Sequence, residues 1–306
     1  MAEKPVTLRT TISPALAGER LDKALTALVP QLSRTRVREI IGRGGVWIHD
    51  QRQRKADAPV KAGVTYTLVH PPDFVYPEVK VEPAHVLWED RWLIALNKES
   101  GWYVQPTAWD IFGNLEHALS DFLRLRDGRP PKLHLTHRLD RETSGVLIVA
   151  KEPEINAPMQ KLWGSGGVEK RYLALVSGAP PETWISDEPL GPGPQARHRV
   201  DRAHGRHART EFRTLQRSGE FAEIEAVPRT GRTHQIRIHA AHGGYPLLGD
   251  QRYGGAAEAA GEPVRRVMLH AAQLTFRHPR TGEAVTLAAE PPADYAALRG
   301  RLFSAP

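Results

Sequence analysis

The densest run of polar side chains in this sequence is His137-Arg138-Leu139-Asp140-Arg141-Glu142-Thr143-Ser144-Gly145. It lies just before the apolar run Val146-Leu147-Ile148-Val149, so it reads as a loop feeding a buried strand. Asp140 offers a carboxylate, a group that can act as nucleophile or as general base. Arg138 sits two residues earlier, so in an extended loop it points the same way. A second dense stretch is Thr230-Gly231-Arg232-Thr233-His234-Gln235-Ile236-Arg237-Ile238-His239. It reads as the start of a helix over 233–242, ended by Gly243-Gly244. Backbone N–H groups at a helix start, with Arg232 and Arg237 beside them, favour an anion.

Other chemistries fail on residue type or spacing. There are no cysteines, which removes disulfides, thiolate metal sites, iron–sulfur clusters and thiol nucleophiles. The 14 histidines include no His-Glu-x-x-His, so no metal site is expected. The order His-Arg-Leu-Asp is not the His-Arg-Asp of a kinase loop, and no glycine-rich phosphate loop or Asp-Phe-Gly accompanies it. The run Gly164-Ser165-Gly166-Gly167 lacks the Lys-Ser/Thr of a nucleotide-binding loop and reads as a flexible connection. No Gly-x-Ser-x-Gly elbow occurs. No nucleotide or other cofactor is therefore expected.

The elements that must hold these residues are mixed. Leu21, Leu25 and Leu28 predict a first short helix that stops before Pro30. Ser33 caps a second, which carries Val37, Ile40 and Ile41 as an apolar stripe with Arg34 and Arg38 beside it. Gly44-Gly45 ends that helix, and strands follow at 46–48 and 64–69. The proline-rich stretch 71–83 reads as a linker. Beyond it come strands at 93–96, 146–149 and 172–176, a helix at 115–125, and a hairpin of 212–215 with 221–227. Without a steady strand–helix alternation, this predicts an α+β fold rather than a doubly wound sheet.

The 306 residues suggest two domains, and 40% hydrophobic content is that of a soluble globular protein. Neither a signal peptide nor an apolar run of spanning length is present, so a cytoplasmic location away from membranes is expected. The net charge is +7. Residues 1–70 hold 12 Lys/Arg against 6 Asp/Glu, whereas the other 236 hold 30 against 29. The excess is thus concentrated in the first quarter, as a footprint for a polyanion would be.

His137 to Gly145 with the following Val-Leu-Ile-Val-Ala-Lys resembles the catalytic motif of the RluA-type pseudouridine synthases. Four further segments agree in order: Asp90 to Gly101, Glu169 to Val176, Pro228 to Asp250, and Leu269 to Pro279. Residues 18–63 resemble the S4 RNA-binding module. The family usually has Lys-Pro where this chain has Lys98-Glu99, and often His-Pro where it has Gln105-Pro106. Neither position carries the chemistry.

The resemblance implies an S4-like domain over 1–70, a linker over 71–83 and a catalytic domain over 84–306 with a mixed, largely antiparallel sheet. It also implies an isomerase, working without cofactor on structured RNA, with ribosomal RNA of the large subunit as first expectation. A tRNA target, a non-catalytic RNA-binding or assembly protein, and a hydrolytic N-glycosidase are the rival readings. Asp140 would be the essential carboxylate, attacking the sugar or the base or deprotonating C2′. Arg237 would be its cation partner, since a cation within about 4–6 Å opposes the loss of charge on burial. Tyr172 would stack on the flipped uracil and could serve the C5 proton step. Arg138 would fill the gap left in the RNA stack. His137, Arg141 and Arg232 would contact RNA near the site. Arg34 and Arg38, with Arg36, Arg43, Arg52, Arg54 and Lys55, would contact phosphates, which set affinity but do not read sequence. A monomer is expected.

Overall fold

A computed structural model describes residues 4–129, 131–194 and 197–303. The chain divides into two compact units. One comprises Met1–Val81 with Trp102–Pro130, the other Glu82–Gly101 with Pro131–Pro306.

The first unit contains strand β1 (Val6–Thr11), helices α1 (Leu21–Leu28) and α2 (Arg34–Arg43), strands β2 (Val46–Ile48), β3 (Gln51–Arg52) and β4 (Thr65–His70), and helix α3 (Leu115–Asp127). Its sheet runs β1-β4-β2-β3 with every pair antiparallel. The local signals act as expected. Ser33 Oγ accepts the Arg36 N–H at 3.3 Å, and Gly44 closes α2 in the left-handed region. Leu21, Leu25, Val37, Ile40 and Ile41 enter one core with Leu68 of β4. Residues 102–130 belong to this unit, whereas the sequence placed them with 84–306. The cause is long-range backbone capture: Trp47 Nε1 donates to Ala108 O at 2.8 Å, Arg52 donates to the Thr107 carbonyl, and Ile111 N–H meets Arg43 O at 3.1 Å. No local pattern announces such bonds.

The second unit is built on strands β5 (Val86–Glu89), β6 (Leu93–Lys98), β7 (His134–Leu135), β8 (Ser144–Ala150), β9 (Val168–Ser177), β10 (Thr183–Ser186), β11 (Leu190–Pro192), β12 (His198–Val200), β13 (Thr210–Ser218), β14 (Phe221–Pro228), β15 (Glu258–Ala259), β16 (Glu262–Pro263), β17 (Leu269–Arg277) and β18 (Ala284–Ala288). Its helices are α4 (Pro153–Gly164), α5 (Gln235–His242) and α6 (Ala293–Phe303). The main sheet runs β10-β13-β14-β9-β17-β8-β6-β5, with β18 on β17 and β7 on β8. Only β8 and β17 pair in parallel, so the sheet is mixed and largely antiparallel. Alternate residues of β6 and β8 (Leu93, Ala95, Val146, Ile148) pack with Ile155 and Met159 of α4. On the other part of the sheet, Ala174, Ile224 and Ala226 pack with Ile236 and Ala240 of α5.

One row of the sheet positions the polar loop. Ala226 of β14 pairs with Tyr172 of β9, Tyr172 with Ala271 of β17, and Ala271 with Gly145 of β8. Gly145 has φ +111°, and a Cβ there would lie 2.2 Å from the Ala271 carbonyl oxygen. Ser144 Oγ bonds His270 Nδ1 at 2.9 Å across the same parallel pair. Among the described residues no helix is long and apolar enough to cross a membrane.

The fold therefore hinges on a missing side chain at position 145. Gly145→Ala should lower stability by about 2–4 kcal/mol, because it adds both a left-handed backbone penalty and an overlap with a carbonyl. Urea unfolding of the purified variant checks this, and an unchanged midpoint would contradict it.

Candidate active site

Asp140 sits in the loop between β7 and β8, with its side chain 21% exposed. The loop is pinned from several sides. Thr136 Oγ1 donates to Ile148 O at 2.9 Å, and His137 Nε2 accepts the Ile148 N–H at 2.9 Å. The His137 ring also packs on Trp163 at 4.3 Å between centroids. Burial pushes its imidazole down to about 3, so it is a neutral anchor whose acceptor nitrogen is occupied by β8. From β6, the fully buried Lys98 donates to Glu99 O at 2.8 Å and to Arg141 O at 3.0 Å. Burial pushes the Lys98 ammonium down to about 7, with Asp140 opposing that shift. Arg141 Nε donates to Gly101 O at 3.2 Å, and Gly101 N–H returns a bond to Arg141 O at 2.8 Å. His137 and Arg141 thus hold the loop that carries Asp140.

Arg237 reaches the same carboxylate from α5. Its Nη1 donates to Asp140 Oδ2 at 3.3 Å. Its Nε and Nη2 donate to Asp250 Oδ2 and Oδ1 at 2.6 and 2.8 Å. Burial works against the Arg237 charge, but the bonds and charges of Asp250 and Asp140 outweigh it, so the pKa is raised. The Tyr253 ring lies beneath the guanidinium at 5.2 Å. Gly249 makes the preceding turn possible at φ +77°, where a Cβ would meet the Arg266 carbonyl oxygen at 1.8 Å.

The helix does not begin at Thr233. His234 is left-handed, with φ 56°, and α5 starts at Gln235. The Gln235 side chain explains the change: its Oε1 takes the Arg232 N–H at 3.0 Å and the Thr230 hydroxyl at 2.6 Å. That ties residues 230–234 into a tight loop and occupies an N–H that the sequence had assigned to an anion. Arg232 Nε itself donates to His207 O at 3.0 Å. His234 Nε2 lies 3.8 Å from Asp140 Oδ2, and its Nδ1 bonds the Tyr253 hydroxyl at 2.8 Å.

Tyr172 is half-buried on β9, and its hydroxyl is pushed well up by burial and then by Asp140. Asp140, Tyr172, His234 and Arg237 line a cleft of about 500 Å³ that also takes in Arg138, Trp163 and Lys170. That is within the range of small-molecule and base-sized sites, about 300–1,000 Å³. Arg138 stands exposed at the cleft and makes no hydrogen bond or ion pair among the described residues. Arg34 and Arg38 lie in the first unit, where both face the buried Asp22. Arg34 Nη2 donates to it at 2.9 Å, and Arg38 Nε is 3.9 Å away. Asp22 is held down to about 2 by the Arg20 hydrogen bond, despite burial, with Arg34 adding to it.

Sequence reasoning missed Asp250, His234, Tyr253 and the loop-holding role of Lys98. Arg237 and Asp140 are 97 residues apart, and the signal for the others lay only in Gly249-Asp250 and the residues flanking Arg237. The arrangement offers one carboxylate with one oxygen paired to a cation and the other taking no hydrogen bond among the described residues. A flat ring stands beside it, in a volume fit for a nucleic-acid base.

The fold is that of the pseudouridylate synthases. Human RNA pseudouridylate synthase domain containing 4 superposes with a TM-score of 0.59 at 24% identity, covering 72% of this chain and 93% of that one. Residues 92–242 match the family described as RNA pseudouridylate synthase. An uncharacterized RNA pseudouridine synthase of Chloroflexus aurantiacus is 37% identical over 92% of this chain and 90% of its own length. Ribosomal large subunit pseudouridine synthase D of Xanthomonas campestris is 33% identical over 96% and 92%. Ribosomal large subunit pseudouridine synthase C of Yersinia pestis is 34% identical over 93% and 92%. This chain belongs to the RluA-type RNA pseudouridine synthase family, and it is an enzyme that isomerises uridine to pseudouridine.

The Arg237–Asp250 pair is buried, with side chains 9% and 1% exposed. Asp250→Asn should therefore lower stability by about 3 kcal/mol, since it strips a buried guanidinium of its bidentate partner. A shift below about 0.5 kcal/mol in chemical unfolding would mean that Asp140 alone neutralises Arg237.

Proposed function

We propose that Asp140 is the essential carboxylate of this isomerase and that its substrate is structured ribosomal RNA of the large subunit. The observation that carries the site assignment is the meeting of Asp140, Arg237 and Tyr172 in one cleft. The reaction breaks the N1–C1′ bond of uridine, turns the base and joins C5 to C1′. The C5 proton leaves and N1 ends protonated, so no redox partner or group donor enters the balance. Asp140 serves this by attacking C1′ or C6 or by taking the C2′ proton. Arg237 supports its charge. Tyr172 offers a face for the uracil. Arg138, exposed and free, enters the RNA stack where the base has left, offsetting part of the few kcal/mol that flipping costs.

The names of the relatives support a ribosomal target. The first unit, with its helix pair and Gly44-Gly45 turn, is read as an S4-like module that grips RNA shape rather than sequence. Arg34 and Arg38 contribute field there more than free hydrogen bonds, because both face Asp22. We propose further that the enzyme acts in the cytoplasm as a monomer.

Asp140→Asn should lower pseudouridine formation by about 10⁴-fold or more while RNA binding persists. Pseudouridine mapping of ribosomal RNA from cells lacking the gene, complemented with either form, reads both the chemistry and the target. Turnover near wild type would remove Asp140 from its role, and a restored site confined to tRNA would move the target. Arg54 and Lys55 are exposed in the first unit. Arg54→Gln with Lys55→Gln should flatten the slope of log affinity against log salt by about 1 to 2. A filter-binding series on ribosomal RNA measures it, and an unchanged slope would deny these residues phosphate contact.

A further inference from the structure

We infer that His234 is a positioning residue: Tyr253 fixes its ring so that Nε2–H faces Asp140 Oδ2, leaving Oδ1 as the oxygen that meets the substrate. This rests on the reading of Asp140 as the essential carboxylate.

The geometry begins with the backbone. His234 is a non-glycine residue with φ 56° at the entrance to α5, and its carbonyl accepts the Ile238 N–H at 2.9 Å. Such a conformation is strained for a side chain of this kind and persists only where surrounding contacts impose it. What it achieves is to turn the imidazole into the cleft, between Tyr253 and Asp140.

The tautomer follows from the neighbours. The Tyr253 O–H, 2.8 Å from His234 Nδ1, can donate to that nitrogen. A nitrogen that accepts there leaves the proton of the neutral ring on Nε2. The opposite tautomer would set a bare lone pair 3.8 Å from a carboxylate oxygen. The charged ring is disfavoured as well: burial, with Arg237 and Arg252, outweighs Asp140 and Asp250 and pushes His234 down to about 4.

Two donors therefore converge on one oxygen. Arg237 Nη1 is 3.3 Å from Asp140 Oδ2 and His234 Nε2 is 3.8 Å from the same atom. The second distance is longer than a hydrogen bond and is a contact between the N–H dipole and the carboxylate charge. Among the described residues Oδ1 takes no hydrogen bond. The carboxylate is thus held by one oxygen and presents the other.

The test uses the full-length enzyme and tritium release from [5-³H]uridine-labelled ribosomal RNA of cells lacking the gene, under single turnover over a range of enzyme concentrations up to saturation. His234→Leu should slow release by roughly 10- to 100-fold, as loss of an orienting partner does, with the half-saturating concentration unchanged. His234→Gln, which keeps an N–H donor, should recover most of that rate. Tyr253→Phe should slow the enzyme that has His234 but not the His234→Gln enzyme, because glutamine has no tautomer to fix. Equal losses in both backgrounds, or a His234→Leu effect confined to half-saturation, would overturn the inference. Should His234→Leu fail to fold, the Tyr253→Phe pair decides alone through its coupling. Asp140→Asn in the same assay separates the two levels. Activity there sinks the reading of Asp140, whereas inactivity without His234–Tyr253 coupling sinks only the role of His234.

Discussion

A single guanidinium shared by two carboxylates is the constraint on which the catalytic unit turns. Arg237 gives two of its N–H groups to Asp250 and one to Asp140. A buried arginine without a partner is costly, so Asp250 is what allows a cation to stand there at all. The sharing also sets what Asp140 can do. Were Arg237 bidentate to Asp140, both carboxylate oxygens would be engaged and the group would be a structural anion. Because Asp250 takes the fork, Asp140 receives a single long bond to one oxygen and remains available.

The sheet exists, functionally, to deliver that geometry. Asp140 precedes β8, Tyr172 lies on β9, and Arg237 follows β14. The row Ala226–Tyr172–Ala271–Gly145 fixes their relative register. A one-residue slip would send Tyr172 to the opposite face, since side chains alternate. Two glycines bear the close approaches. Gly145 admits the Ala271 carbonyl, and Gly249 admits the Arg266 carbonyl just before Asp250. The loop between β7 and β8 is equally determined, with Lys98, Thr136 and His137 each bonded to its backbone or to that of β8.

Much of this was legible in the sequence where the cause is local. The leucines of α1, the Ser33 cap, the apolar run of β8 and the hairpin of β13 and β14 are patterns of period or capping, and each formed. The three residues that meet in the cleft were legible because they lie in contiguous motifs. What escaped has non-local causes. The start of α5 is set by the Gln235 side chain bonding back to Thr230 and Arg232. Helix α4 carries Pro153 in its first turn and Pro158 inside, with a glycine run behind it, so its composition argues against a helix that burial of Ile155 and Met159 secures. The grouping of 102–130 with the first unit depends on backbone carbonyls at Thr107 and Ala108 met by Trp47 and Arg52.

The charge asymmetry of the chain also changes meaning once partners are known. Residues 1–70 carry a net +6 in the sequence, which treats every arginine as equally available to a polyanion. In the first unit Arg20, Arg34 and Arg38 all face Asp22, which is fully buried. One carboxylate of α1 therefore gathers three guanidinium groups, one from the residue that caps α1 and two from adjacent turns of α2. It cannot neutralise three charges, so the cluster keeps an excess positive field while its side chains lose freedom. Arginines held in this way would lose less rotamer entropy on meeting a phosphate backbone than unpaired ones. Arg20, Arg34 and Arg38 are thus better described as a pre-ordered field than as a set of free cations.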